Sequence, residues 1–260
     1  MNERLKDRWV AITGASSGFG AAAAAAFAAA GAHVLLGARR VAMLEAVAED
    51  ARRQGAPSAA AHALDVADTR SVETFADWVR SRTDRVDVLI NNAGGAHGLD
   101  PIATGRDEDW DAMIQSNVLG LLRVTRALLP LMGRRPGACI LNIGSIAGHT
   151  AYAGGAVYCA AKSAERAITR ALRMELCGTG VRVGTIDPGI AETEFSLVRF
   201  KGDTARAAKV YEGAEPLTAT DVAEAMVWAA SRPPHVCIDE IVIKCTDQAE
   251  VYRIHRRPVP

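Results

Sequence analysis

The chain has 260 residues, 49% of them hydrophobic, and its 30 basic side chains balance 30 acidic ones. That is ample material for a packed core with no bias toward a polyanion, so a disordered chain and a nucleic-acid partner are both excluded as first readings. The start MNERLKDRWVAIT puts charges where a signal peptide needs an apolar stretch, and no run approaches the roughly 20 apolar residues of a membrane span, which predicts a cytoplasmic protein with no membrane partner. No stretch reads as a linker, so residues 1–260 are expected to form a single domain. The five cysteines are odd in number and lack CxxC spacing, which argues against a disulfide framework or a zinc site and leaves them as small buried side chains.

In chain order, strand-length apolar runs fall at 9–13, 33–37, 60–64, 86–90, 139–143, 181–186 and 241–244. Most are apolar throughout, as strands covered on both faces should be. Helical periodicity occupies 18–30, 41–54, 69–82, 107–132, 156–177 and 220–231, with Asp68, Asp107 and Thr220 as candidate N-caps. Residues 21–30 are alanine except for Phe27, an excellent helix former that Gly31 would stop, and small side chains would let that helix lie close against a sheet. Seven strands joined by helical segments imply an α/β fold, a parallel sheet with right-handed crossovers and helices on both faces. Ligands bind such sheets beyond the carboxyl ends of the strands, near the switch point.

The first strand ends in TGASSGFG, residues 13–20, which opens the alanine helix. Gly14 permits a tight turn, Gly18 lets the backbone approach a pyrophosphate, and Gly20 allows helix and strand to pack closely; Ser16, Ser17 and Phe19 complete the candidate cofactor loop. The same glycines could serve an ordinary turn, but the strand-to-helix context is the one that dinucleotide binding requires. After the second strand the sequence reads GARR. An NAD site usually offers a carboxylate there, whereas Ala38 followed by Arg39 and Arg40 suits the 2′-phosphate of NADP, since a guanidinium fits phosphate in bidentate fashion.

Ser145 closes the fifth strand, and Tyr158 and Lys162 stand four apart on one helical face. A phenol ordinarily titrates near pH 10, and a neighbouring cation favours phenolate, the tuning that a general acid or base needs. An exposed Tyr/Lys pair is the alternative for that spacing alone.

The ordered motifs TGASSGFG, NNAG at 91–94, Asn117 in SNVLG, GSIAG around Ser145, YCAAK at 158–162 and DPG at 187–189 followed by Thr193 closely resemble those of the short-chain dehydrogenase/reductase family. The resemblance implies a single Rossmann-type doubly wound domain with strand order 3-2-1-4-5-6-7, usually a homotetramer. It implies a catalytic tetrad of Asn117, Ser145, Tyr158 and Lys162. In that scheme Tyr158 exchanges a proton with the substrate alcohol while hydride moves to or from the nicotinamide, Ser145 orients the substrate oxygen, Lys162 tunes the phenol and grips the ribose, and Asn117 holds a water in a proton relay. It further implies that Asp65 and Val66 flank the adenine, that Asn91, Ala93 and Gly94 support the cofactor pocket, and that Pro188, Gly189, Ile190 and Thr193 seat the carboxamide. No metal is required.

Around the substrate, NIGSIAGHTAYAGGAVY, ETEFSLVRFKGD and EIVIKCTDQ resemble the NADP-dependent 3-hydroxy acid dehydrogenases, which implies a small anionic substrate. Gly95-Ala96-His97 and His149 depart from that pattern. Within a substrate-loop region at 190–215, Arg199 is the favoured cation for the carboxylate and Lys201 its competitor, although either could be a surface charge. His97 and His149 are candidate polar wall residues, and the basic ending VYRIHRRPVP has no assigned role. A reductase for another aldehyde, including sulfoacetaldehyde, and a nonenzymatic NADP-sensing protein are the competing readings.

Overall fold

Apolar residues bounded by turns form seven strands: β1 (Trp9–Thr13), β2 (His33–Ala38), β3 (Ala59–Ala63), β4 (Val88–Asn91), β5 (Cys139–Ile143), β6 (Arg182–Pro188) and β7 (Glu240–Ile243). The structure, a computed structural model, describes residues 2–133 and 136–258, so residues 1 and 259–260 of the expected domain, with the end of the basic tail, lie outside the described residues. The strands form one parallel sheet in the order β3-β2-β1-β4-β5-β6-β7. Ala11 of β1 sits opposite Leu35 on one side and Leu89 on the other. The strand order reverses between β1 and β4, which opens a crevice at their carboxyl ends.

Alternation sends Val10, Ile12, Val34 and Leu36 to one face, where they pack with α1 (Gly18–Ala29), α2 (Val41–Arg53) and α9 (Ala219–Ala230). Ala11, Leu35, Leu89 and Ile140 take the other face, against α3 (Thr69–Arg82), α5 (Gly120–Leu128) and α6 (Ala156–Glu175). The alanine helix behaves as its composition predicts: Ala23, Ala24, Phe27 and Ala28 are buried, and Gly31, at φ +78, ends it. Burial of Phe27 alone contributes about 1.5–3 kcal/mol.

Helix ends match the expectation in part. Asp68 caps α3, its Oδ1 accepting from Arg70 N at 2.9 Å. Asp107 does not cap α4 (Asp107–Ile114); the extended residue is Arg106, and Asp107, Glu108 and Asp109 instead place negative charge in the first turn, where the helix dipole favours it. Thr220 lies inside α9, which is capped by Thr218 in a reciprocal box with Asp221.

The expected helix over 107–132 is broken into α4, a π-helical turn at Gln115–Leu119, α5 and a tight turn at Leu129–Leu131 that contains Pro130. The region 190–215 carries two short helices, α7 (Phe195–Arg199) and α8 (Thr204–Lys209). Cys139, Cys159 and Cys245 are buried as expected, whereas Cys177, in the turn after α6, and Cys237, in the loop before β7, are exposed. Among the described residues no helix is long and apolar enough to cross a membrane.

Candidate active site

At the switch point the glycine loop has room for backbone and little else. A Cβ on Gly14, itself at φ +64, would lie 2.9 Å from Ala93 Cα and from Asn92 Nδ2, and one on Gly20 would lie 2.5 Å from Gly14 O. Gly18, at φ +53, faces only the Thr193 side chain at 3.5 Å, so the mouth of the loop opens toward the Pro188 to Thr193 stretch. This cradle over the start of α1 fits a pyrophosphate. It is braced by Asn92, which the sequence reading passed over: its Nδ2 donates to Thr13 O at 2.9 Å and Gly14 O at 3.2 Å. Thr13 Oγ1 in turn accepts from Asn92 N and Ala93 N.

The two arginines after β2 have different surroundings. Arg40 reaches back over the loop, donating to Ser17 Oγ at 2.6 Å, Ser16 Oγ at 3.3 Å and Glu194 Oε2 at 2.7 Å. Hydrogen bonds from Arg40 and then Ser17 hold the Glu194 carboxyl below its ordinary range. Arg39 is exposed and makes no hydrogen bond or ion pair among the described residues, which leaves its guanidinium available to a phosphate. Asp65 Oδ1 accepts from Ala67 N and shapes the turn after β3, and Val66 packs against Gly120, where a Cβ would come within 2.7 Å of it. Asn91 is buried and donates to Thr125 Oγ1 and Asn142 Oδ1, both at 2.9 Å, stitching β4 to α5 and β5.

Ser145 starts a 3-10 turn at Ile146–Gly148, its Oγ accepting from Ala147 N. Tyr158 and Lys162 stand on the buried face of α6. Lys162 Nζ donates to Ile143 O at 2.6 Å and to Glu165 Oε2 at 3.3 Å. Burial works against its ammonium, but Glu165, Tyr158 and Asp187 outweigh that and raise its pKa above the ordinary lysine value. The Asn117 amide, in the π turn, donates to Gly95 O and Met113 O at 2.8 Å each and accepts from Gly95 N, so the side chain is committed to holding the strand extension after β4.

A cavity of about 440 Å³ brings together Phe19, Ser145, Tyr158, Pro188, Gly189, Ile190, Thr193 and Arg199. Arg199 lies over the rings of Tyr152 and Tyr158, 5.4 and 5.7 Å from their centroids, and donates to Tyr152 Oη at 2.9 Å and Gly98 O at 3.1 Å. Burial pushes the Tyr152 phenol up to about 12 even with Arg199 beside it. Lys201 is paired with Asp109 at 2.7 Å on the surface.

His97 lines a smaller pocket adjoining Arg199 and Tyr158, and burial lowers its pKa, favouring the neutral ring. The basic ending folds over the cavity: Tyr252 and Arg256 line it, Tyr252 Oη accepts from Ala153 N, and Arg256 donates to Val210 O and Glu212 O. Gln248, which accepts from Ile190 N at 2.7 Å, completes the wall.

His149 does not line this cavity; it turns away to Asp187. Its ring nitrogen and the carboxylates of Asp187 and Glu240 have the spacing of a cation site, but Arg166 already supplies positive charge there, 3.8 Å from Asp187 and 3.4 Å from Glu240.

The family model of the short chain dehydrogenases matches residues 8–202. The chain belongs to that family. This dehydrogenase is 40% identical over 255 residues to an NADP-dependent 3-hydroxy acid dehydrogenase of Schizosaccharomyces pombe, covering 98% of each chain. It is 46% identical over 241 residues to a sulfoacetaldehyde reductase of Chromohalobacter salexigens, covering 92% of this chain and 94% of the relative. Among solved structures, a closed serine dehydrogenase complexed with NADP+ superimposes with a TM-score of 0.88 at 38% identity, over 96% of this chain and all of the other.

Proposed function

We propose that this dehydrogenase is an NADP-dependent oxidoreductase that interconverts small 3-hydroxy acids and their semialdehyde or keto forms. The observation that carries the substrate class is Arg199: its guanidinium lies over the Tyr158 ring inside the cavity. Two of its five N–H donors are used in the hydrogen bonds to Gly98 and Tyr152, and the rest remain for a carboxylate held beside the phenol. The unpaired Arg39 guanidinium and the absence of an acid at Ala38 support NADP, as do the names of the similar proteins.

NADP, when bound along the glycine loop, supplies the two-electron partner for the alcohol carbon. Tyr158 takes the alcohol proton in oxidation and returns one in reduction. Ser145 holds the substrate oxygen beside it, and Lys162, pinned by Ile143 O and Glu165, keeps positive charge next to the phenol. Closure of 190–215 and the basic ending over the cavity excludes water and strengthens the attraction between Arg199 and the substrate anion. Association into a homotetramer is supported by an apolar groove between α5 and α6, lined by Leu121, Leu122, Leu129 and Ile168.

Reduction of sulfoacetaldehyde is the second reading, favoured by the 46% identical relative and by the ability of a guanidinium to grip a sulfonate as it grips a carboxylate. The test is cofactor turnover across serine, 3-hydroxypropionate, 3-hydroxyisobutyrate, the hydroxysulfonate corresponding to sulfoacetaldehyde and a neutral alcohol of similar size, each with NADP and NAD. Preference for the carboxylates with NADP supports the first reading, preference for the sulfonate selects the second, and no turnover of any alcohol overturns both.

A further inference from the structure

Lys162 is buried, and its ammonium has a carboxyl group for a neighbour that the proposed chemistry does not use. Glu165 stands one turn further along α6, 1% exposed, with Oε2 3.3 Å from Lys162 Nζ. Its other oxygen, Oε1, lies 3.3 Å from Thr185 Oγ1 of β6, which in turn lies 2.6 Å from Asp187 Oδ1. The backbone of the same residue is engaged as well, Thr169 Oγ1 donating to Glu165 O at 2.8 Å. The carboxyl group is therefore held between α6 and β6, out of contact with water.

An ammonium has three N–H donors. Two of them have acceptors here, Ile143 O at 2.6 Å and Glu165 Oε2, which leaves the third for the phenol or the bound cofactor. The acceptors come from the end of β5 and from α6, and neither residue lines the substrate cavity. Groups that do not meet the substrate thus set where the charge points.

They also decide whether the charge persists, because a buried ammonium without a counter-charge tends to give up its proton. Burial is the largest influence on Lys162 and opposes its charge; of the groups that favour the charge and carry its pKa above the ordinary value, Glu165 is the strongest, Tyr158 follows and Asp187 is the weakest. Asp187 has other partners, with Oδ2 on His149 Nε2 and 3.8 Å from Arg166 Nε. Burial raises Glu165 above the usual carboxylate value while Lys162 works against that rise. The pair is therefore oppositely charged between the two raised values, and on the alkaline side the carboxylate is present to retain the Lys162 proton. Around the phenol stand Arg199 of α7 and Tyr152 of the loop before α6, and Glu240 of β7 faces His149 and Arg166.

We propose that Glu165 is the counter-ion of Lys162, a positioning residue that keeps the ammonium charged and aimed in a buried site. The proposal rests on the part given to Lys162 above, positive charge beside the phenol.

The test is an NMR titration of isotope-labelled lysine side chains without cofactor; the chain has five lysines, and Lys162→Met identifies the signal by its loss. In the unmodified protein Lys162 should stay protonated through pH 10.5, the ordinary lysine midpoint. Glu165→Gln keeps an acceptor and removes the charge, so Lys162 should titrate at lower pH than in the unmodified protein. Glu165→Asp, which restores the charge one methylene short, should recover part of the difference. The consequence for turnover is read from kcat/KM against pH, with NADP and the best alcohol of the panel above. Loss of the ammonium should lower kcat/KM by about tenfold per pH unit, and in Glu165→Gln that fall should begin at lower pH than in the unmodified enzyme.

A Lys162 midpoint that does not move in Glu165→Gln overturns the counter-ion even where activity is lost, since an equal loss at every pH is what disturbed packing would give. Titration of Lys162 below pH 10.5 in the unmodified protein overturns it too, and that measurement needs no variant to fold. A midpoint that moves while the pH profile stays in place leaves the counter-ion standing and overturns instead the part given to Lys162 in the proposed chemistry.

Discussion

Asn92 and Thr13 hold each other by both ends: Asn92 Nδ2 donates to Thr13 O at 2.9 Å, and Thr13 Oγ1 accepts from Asn92 N at 3.0 Å. The pair ties the end of β4 to the end of β1 across the switch point, and the same Asn92 amide reaches Gly14 O. The shape of the glycine loop therefore depends on a side chain just past β4, 78 residues further along, beyond the reach of local turn propensity. Asn92→Ala should cost about 1–3 kcal/mol of stability, since two carbonyls lose a donor, and should weaken NADP binding. Thermal unfolding with and without NADP reads both effects. A variant with unchanged melting and unchanged NADP affinity would show that the loop holds its shape without the brace.

Arg39 and Arg40 are adjacent in sequence and should differ in effect. Arg40 is engaged with Ser16, Ser17 and Glu194, so Arg40→Ala should disturb the loop and weaken both cofactors together. Arg39→Ala should leave NAD affinity in place and weaken NADP by one to two decades, about 1.5–3 kcal/mol for a charge-assisted contact with phosphate. Equilibrium titration with each cofactor separates the two. An NADP/NAD ratio that survives Arg39→Ala makes that residue a bystander.

Tyr158→Phe removes one hydroxyl and keeps the ring that packs against Phe195 and under Arg199. Cofactor binding should persist while turnover falls by about 10² to 10⁴, the usual worth of proton transfer by a positioned group. Binding followed by fluorescence and turnover followed by absorbance distinguish loss of chemistry from loss of the site, and near-normal turnover would remove Tyr158 from its role.

The seven strands were legible as local apolar runs, whereas their order and the placing of Ser145, Tyr158, Gly189 and Thr193 about one cavity were expected from the ordered motifs that resemble the short-chain dehydrogenase/reductase family. The π turn at Gln115–Leu119 was not, because a single extra residue in a helical ladder leaves apolar periodicity nearly intact. The caps at Arg106 and Thr218 show a related limit: which residue is extended depends on how the preceding loop leaves the sheet, so a good capping residue one or two positions inside is passed by. The terminal segment and the His149, Asp187 and Glu165 series were illegible for a different reason. Each contact joins residues far apart in the chain, and no spacing rule signals that Glu165, one turn beyond a lysine, faces inward to Thr185 instead of outward to water.

That inward orientation has a consequence for stability against pH. Burial raises the Glu165 pKa in the folded protein above the ordinary 4.5, so the folded state holds this proton more tightly than the unfolded chain does. The contribution is fully present below the unfolded value and is lost as pH rises through the raised folded value. In Glu165→Gln that loss cannot occur. The melting temperature of the variant relative to the unmodified protein should therefore rise as pH is taken upward from about 4.5, the direction set by linkage. Scanning calorimetry from acid to neutral pH on both proteins reads the difference; a variant melting temperature that stays constant or falls relative to the unmodified protein as pH rises would mean that folding does not raise the Glu165 pKa.

Arg199 is the residue on which the substrate class depends, and its surroundings make its removal informative. Its contacts with Gly98 O and Tyr152 Oη fix the guanidinium over the Tyr158 ring, so a carboxylate gripped there would sit beside the phenol and Ser145. Lys201, the competing cation, is engaged with Asp109 and exposed, and Lys201→Ala should change little. Arg199→Ala should raise KM for a 3-hydroxy acid by one to two decades, the loss expected for a hydrogen-bonded charge, and should change KM for a neutral alcohol of similar size far less. Because Arg199 also braces Tyr152, some loss of kcat on every substrate is expected, and the ratio of kcat/KM between charged and neutral substrates is the quantity that isolates recognition of the anion. Arg199→Lys should recover part of that ratio, since it restores the charge without the bidentate grip. Equal losses on charged and neutral substrates in both variants would make Arg199 a strut for the loop and would move the anion-recognising group elsewhere in the cavity, with Arg256, which also lines it, the next residue to change.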